Sequence, residues 1–176
     1  MTVVGNYQVE KGTEEIMQLY KTQNIYFDMF MDQVRARSLD HICELIERNI
    51  AKDPDISLGQ GIIQRALKKE QGKHGFSAMN DVLICHAKIK NLKHRKTIFM
   101  RLTQTVSVDA GGEQPVQFVA CTLSPDRLGA LNLRYLARLT RIFGNKELTE
   151  DLKSVDTIDG MRLLLNGEAS LTEVAA

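Results

Sequence analysis

The sequence predicts one α/β domain, a mixed β-sheet with helices packed on both faces. Three observations lead there. Segments of helical period and apolar segments of strand type alternate in the order strand, two helices, three strands, three helices. The strands "DVLICHA" and "PVQFVACTLS" are apolar without regular alternation, which calls for a packed layer on each side of the sheet. A length of 176 residues supports one real core and hardly two, so residues 1–176 are read as a single domain.

The elements follow in order. The first dozen residues are mixed and read as a loose arm or an edge strand. "NIYFDMF", residues 24–30, is short, aromatic and β-branched at its start, and reads as the first strand. In "SLDHICELIERNIAK", Ser38 is an N-cap and Asp40 lies in the first turn, where it meets the free amides. Leu39, Ile42, Cys43, Ile46 and Ile50 then recur at helical spacing. "DPDIS" breaks the chain, and Ser57 is positioned to cap a second helix over "LGQGIIQRALKKE". "QGKHG" ends that helix, with glycine available for a left-handed cap.

Strands come next: "DVLICHA", then "KTIFMRLTQTV", then "PVQFVACTLS" after the turn "AGGEQ". Pro115 is acceptable only as the first residue of its strand. "LGALNLRYLARLTRIFG" predicts a long amphipathic helix ending at Gly144, with Leu128, Leu131, Leu133, Leu136, Leu139, Ile142 and Phe143 as its apolar face. "KELTEDLKS" and "TIDGMRLLLNG" are two shorter helices, and "EASLTEVAA" reads as a frayed tail.

Composition excludes several classes. The formal net charge is +1, so no global field steers nucleic acid or acidic lipid. The three cysteines, Cys43, Cys85 and Cys121, are widely spaced and odd in number, against a disulfide scaffold or a structural zinc site. A reducing, cytoplasmic setting is the expectation. "MTVVGNYQVEKG" has no basic segment followed by a long apolar core, and no apolar run approaches a membrane span. There is no GxxxxGK[ST], GxGxxG or HExxH, so nucleotide-binding and metalloprotease chemistry have no support.

Four histidines remain: His41, His74, His86 and His94. His41 is read as a boundary residue of the first helix, and His74 and His94 as solvated loop residues. His86 differs, because it ends a buried strand, and strand ends are where α/β sheets present their sites. From the residues alone it stays open between a satisfied core histidine, a metal ligand and a reacting group. Adjacent Cys85 and His86 point to opposite faces of an extended strand and do not share one ion easily. A Cys–His pair would have to be built from Cys121 and His86. Basic residues flank the histidine on both sides: Arg65, Lys68, Lys69 and Lys73 before it, Lys88, Lys90, Lys93, Arg95 and Lys96 after it. They read as a solvated face, or as a positive rim for a phosphoryl group or an acidic patch on another protein. No aromatic residues interleave with these charges, which argues against a single-stranded nucleic-acid platform.

"DVLICHAKI" resembles the phosphohistidine segment "G-I-A-I-P-H-A-K" of the IIA components of the bacterial phosphoenolpyruvate-dependent phosphotransferase system, fructose and mannitol class, which includes the nitrogen-related regulatory IIA proteins. Cys85 replaces the proline, and His86, Ala87 and Lys88 follow it. "SLDHICELIERNI", "GIIQRALKKE", "GEQPVQFVACTLSP" and the long C-terminal helix are similar to the family's elements in the same order, over about residues 20–165. The resemblance implies that His86 takes a phosphoryl group from a phosphohistidine carrier protein. The group then goes to a downstream sugar-specific or regulatory protein, or stays as a regulatory signal. No cofactor and no metal are implied. Departures accompany it. Ser77, Ala78, Met79, Asn80 and Asp81 stand where the family has a glycine-rich turn, and Asp81 adds a negative charge there. Asn132 stands where a second histidine is expected, and Lys68 or Lys69 where an arginine is expected. A lysine offsets charge without the planar two-pronged grip. These departures suggest the alternative of a non-catalytic regulatory or interaction domain. A homodimer is compatible with either reading, and the sequence marks no surface for it.

Overall fold

The computed structural model describes residues 25–54, 56–73 and 75–174. The expected N-terminal arm and His74 lie outside these residues. In chain order the elements are β1 (Met29–Val34), α1 (Leu39–Ile50), α2 (Ile62–Gln71), β2 (Phe76–Met79), β3 (Val82–Ile89), β4 (Lys96–Asp109) and β5 (Glu113–Pro125). A short 3-10 turn (Asp126–Leu128) leads into α3 (Gly129–Phe143), α4 (Lys146–Ser154) and α5 (Ile158–Val174). The five strands form one sheet in the order β1-β4-β5-β3-β2. β1 runs parallel to β4 and β3 parallel to β5, while the β4–β5 and β2–β3 pairs are antiparallel. The sheet is therefore mixed.

Both faces are covered, as the apolar strands require. Odd-numbered residues of β3, Leu83, Cys85, Ala87 and Ile89, face the layer formed by Ile42, Ile46 and Ile50 of α1 and Ile63 and Leu67 of α2. Val82 and Ile84 face the second layer, built from α3, α4 and α5. An aromatic cluster locks that second layer: Phe99 stacks on Phe118 at 5.7 Å and on Phe143 at 5.9 Å between centroids. Each such pair contributes about 0.5–1.5 kcal/mol beyond its buried area. The cluster anchors α3 against the sheet, and the N-terminal end of α3 carries Asn132.

The structure differs from the sequence expectations in several places. The first strand is Met29–Val34, not residues 24–30; Ile25 and Phe27 are buried but precede the ladder. α2 starts at Ile62, and Ser57 does not cap it. The Glu47 carboxylate of α1 accepts from the Gly61 and Gln64 amides instead, placing an anion at the helix N-terminus. A fifth strand, β2, lies between α2 and β3, where the sequence reads as loop. It pairs with β3 through a two-residue hairpin in which Asn80 and Asp81 adopt positive φ of 47° and 64°, a conformation that Asn and Asp tolerate better than most side chains. Pro115 is the third residue of β5, in a stretch where β5 pairs with β4 and reaches beyond its pairing with β3; the missing N–H is tolerated there. The last helix continues through the segment expected to fray, to Val174.

Candidate functional site

Register assembles the site. β3 and β5 align His86 with Thr122 and Lys88 with Ser124, on the sheet face covered by α3. The β2–β3 hairpin pairs Phe76 with Cys85, so the chain enters the sheet beside His86. There His86 Nδ1 lies 3.2 Å from the Gly75 carbonyl oxygen. A carbonyl only accepts, so Nδ1 carries the proton and donates. In the neutral ring, Nε2 then keeps its lone pair, and it has no hydrogen-bond partner among the described residues.

The half-buried His86 ring lines a cleft of about 670 Å³ between the end of α2, the end of β3 and the start of α3. Asn132, Lys69, Lys73, Lys88, Lys90, Glu70 and Asp126 line it as well. Asn132 is only 2% exposed. Its Oδ1 accepts from Ser124 Oγ at 2.5 Å, which orients the amide so that Nδ2 is left as a donor. Glu70 is paired with Lys73 at 3.8 Å. Lys69 has no ion-pair partner among the described residues. Four lysines against two carboxylates leave the cleft with a formal excess of two positive charges.

The structure thus brings His86, Asn132 and Lys69 into one cleft and places Lys68 elsewhere. Lys68 lies 3.3 Å from Asp40 of α1 and does not line the cleft. The basic run after His86 also divides. Lys88 and Lys90 reach the cleft, whereas Lys96 pairs with Asp53 at 2.7 Å. Arg95 is buried with its guanidinium 3.9 Å from the centre of the Tyr135 ring, and burial lowers its pKa. Asp81 is remote from the histidine. It sits at the hairpin turn, five residues up the strand, or about 16 Å at the rise of an extended chain, and it binds Lys153 at 2.6 Å. Of the other histidines, His94 is exposed, and the His41 backbone amide donates to Ser38 Oγ at 3.2 Å.

Cys121 and His86 do not form a pair. Cys121 faces the α1–α2 layer beside Cys85, on the opposite side of the sheet from His86. Its hydrogen bond to Cys85, together with burial, pushes the Cys85 thiol up, and burial pushes Cys43 up to about 12. All three thiols are buried in the core, and the raised values of Cys43 and Cys85 keep those two protonated at neutral pH. Among the described residues no group of three or more His, Cys, Asp or Glu side chains could hold a metal ion. No described helix is long and apolar enough to cross a membrane.

Sequence reasoning missed Gly75 and Ser124. Neither carries charge, and each matters through one oxygen atom: the carbonyl that holds the imidazole and the hydroxyl that orients the amide.

The fold is a mixed five-stranded α/β domain with a half-buried imidazole in a lysine-lined cleft. Comparison with known proteins gives the family. Residues 19–167 match the model for the phosphoenolpyruvate-dependent sugar phosphotransferase system, EIIA 2, and the chain belongs to that family. A nitrogen regulatory protein from Bradyrhizobium diazoefficiens is 30% identical over 96 residues, covering 54% of this chain and 61% of that protein. The match thus spans about three-fifths of the curated relative. Among solved structures, the nitrogen regulatory protein IIA-Ntr from Neisseria meningitidis superposes with a TM-score of 0.68 at 22% identity, covering 78% of this chain and 92% of that one. Enzyme IIA for mannitol from Escherichia coli, solved in complex with phosphorylated enzyme IIB, gives 0.62 at 14% identity, covering 80% and 94%. At these identities the structural likeness speaks for the fold.

Proposed function

We propose that this protein accepts a phosphoryl group on Nε2 of His86 from a phosphohistidine carrier protein. It then acts in regulation, holding the group or passing it to a downstream sugar-specific or regulatory protein. The observation that carries the reading is the Nδ1–H bond to the Gly75 carbonyl, which leaves Nε2 as the nucleophile in a cleft rich in lysine. In the transfer, the Nε2 lone pair forms the new N–P bond as the donor's N–P bond breaks. The released electron pair returns to the donor ring. The proton stays on Nδ1, where the Gly75 carbonyl stabilises the charge that develops on the imidazole. Lys69 offsets charge on the phosphoryl oxygens, and Asn132 Nδ2 donates a neutral hydrogen bond to one of them. Positioning and electrostatics are what a loose phosphoryl transfer needs from a protein. Because phosphoenolpyruvate is made in the cytoplasm, the proposal includes a cytoplasmic location.

A second reading, a regulatory domain that binds partners without taking the group, has one observation in its favour. Glu70 and Asp126 also line the cleft, and Asn132 cannot carry a positive charge. Incubation with phosphoenolpyruvate, enzyme I and the carrier protein separates the two. Acid-labile phosphate on the wild type and none on a folded His86→Gln variant is the expected result. A folded wild type that takes no label gives the second reading.

A further inference from the structure

A second cavity, of about 630 Å³, lies between α1 and the loop that leads into α2, and it shares no residue with the His86 cleft. Ile56 and Leu58, both half-buried, and the buried Ile63 give it an apolar wall. Its charge comes from Glu47, also half-buried. One oxygen of that carboxylate accepts from the Gly61 amide and the other from the Gln64 amide at 2.7 Å. A carboxylate oxygen has two lone pairs, so each keeps one for a further donor. Among the described residues no cation pairs with Glu47. The other two charges at the cavity meet each other, with Arg48 Nη2 2.8 Å from Glu44 Oε1. Arg65 turns to the Gln60 carbonyl at 3.5 Å and does not line the cavity. A half-buried carboxylate beside apolar side chains carries a desolvation cost that a cation relieves best. The two amides and the α2 dipole offset part of it, and no full positive charge does.

The lining selects among ligand classes. An anion finds no available cation, because Arg48 is taken by Glu44 and Glu47 already occupies the first amides of α2. A neutral apolar molecule leaves the carboxylate unmatched. A small organic cation suits both the charge and the apolar wall. We propose that this cavity binds a primary amine with a short apolar body. Its ammonium group donates to the remaining lone pairs of Glu47, and its carbon atoms pack against Ile56, Leu58 and Ile63. The volume is that of a small-molecule site, apolar for the most part with a few polar groups that fix orientation. The amine plays no part in phosphoryl transfer to His86, so the two proposals stand independently.

The test titrates the full chain with hexylammonium, hexanol and hexanoate, three probes of one shape, at constant ionic strength. Amide NMR shifts follow binding residue by residue. Hexylammonium is expected to move the Gly61 and Gln64 amides most, since both donate to the carboxylate it meets. It is expected to bind about tenfold more tightly than hexanol, the difference between a charge-assisted and a neutral hydrogen bond. Hexanoate should leave these amides unmoved. Ethylammonium, which lacks most of the apolar body, should bind at least about tenfold more weakly than hexylammonium. Glu47→Gln keeps an acceptor for one helix amide and removes the charge, and it is expected to bring hexylammonium down to the affinity of hexanol. Leu58→Lys leaves Glu47 in place and supplies an ammonium group from the cavity wall, and it is expected to weaken hexylammonium about tenfold. Equal binding of hexylammonium and hexanol, hexanoate acting through the same amides, or no hexylammonium-dependent shift at Gly61 and Gln64 overturns the proposal. So does unchanged binding by Glu47→Gln, or by Leu58→Lys where Glu47→Gln fails to fold.

Discussion

Gly75→Ala tests the device that sets the histidine tautomer. A Cβ at this position would lie 2.8 Å from the Glu70 carbonyl oxygen and 3.2 Å from Glu70 Cβ. The first is a backbone atom at the end of α2, and it already accepts the Gly75 amide at 2.9 Å. Neither side can yield without moving the peptide whose carbonyl holds His86. Overpacking of this kind costs about 1–3 kcal/mol of stability. The lost hydrogen bond has a net worth of about 1 kcal/mol, which is about a fivefold shift in the balance between the two neutral tautomers. Two-bond nitrogen–proton NMR correlations of the imidazole read that balance directly. The neutral ring of the wild type is expected to show a protonated Nδ1 and a bare Nε2. The variant is expected to shift toward the other tautomer and to accept phosphoryl groups about fivefold more slowly. A wild type protonated on Nε2, or a variant whose tautomer balance and transfer rate are both unchanged, would refute the reasoning.

Three further predictions concern the support around the cleft. Ser124→Ala leaves the buried Asn132 Oδ1 without its 2.5 Å donor; it is expected to cost about 1–3 kcal/mol in urea unfolding and to slow transfer severalfold by freeing the amide to rotate. Lys69→Ala is expected to slow phosphorylation about fivefold, the worth of about 1 kcal/mol for a unit charge a few ångströms away in water-like surroundings. Lys68→Ala, which removes a charge facing Asp40, should stay within about twofold of the wild type. Arg101 grips both oxygens of Asp32, at 2.6 and 2.8 Å, and donates to the Leu152 and Val155 carbonyls at the α4–α5 junction. Arg101→Met is expected to cost about 3 kcal/mol by leaving a largely buried carboxylate unpaired. The Arg101 guanidinium holds the Asp32 carboxyl below its ordinary value. The stabilisation is thus fully present above the unfolded pKa of about 3.9 and is lost as pH falls through the lower folded value. Acid unfolding of the wild type should show that loss, and the variant should lack it.

Much of the fold was legible because burial writes itself into sequence. The runs from Val82 and Val116 are apolar since both faces of β3 and β5 are covered, and the Ser38 cap and the Ile42, Ile46 and Ile50 stripe mark α1. β2 was not legible. Four residues with one buried side chain form a strand only because β3 offers an open edge. The leucines of α3 misled for a related reason. Spacing alone counts Leu131 and Leu133 as core, whereas the buried face follows Asn132, Tyr135 and Leu139. At the site, His86 was legible as a polar residue ending an apolar strand. Its orientation was not, because the Gly75 carbonyl and the Ser124 hydroxyl act through tertiary register. The concern over Asp81 dissolved with the hairpin, which carries that charge to the far end of β3.

The most direct test of the central claim is site-resolved detection of phosphohistidine after incubation with phosphoenolpyruvate, enzyme I and the carrier protein. Mass spectrometry under non-acidic conditions is expected to find one phosphoryl group, on His86, and proton–phosphorus NMR to place it on Nε2. His86→Gln should fold like the wild type and take no label. Labelling that persists in His86→Gln, or a folded wild type that remains unlabelled by an active carrier, would contradict the account.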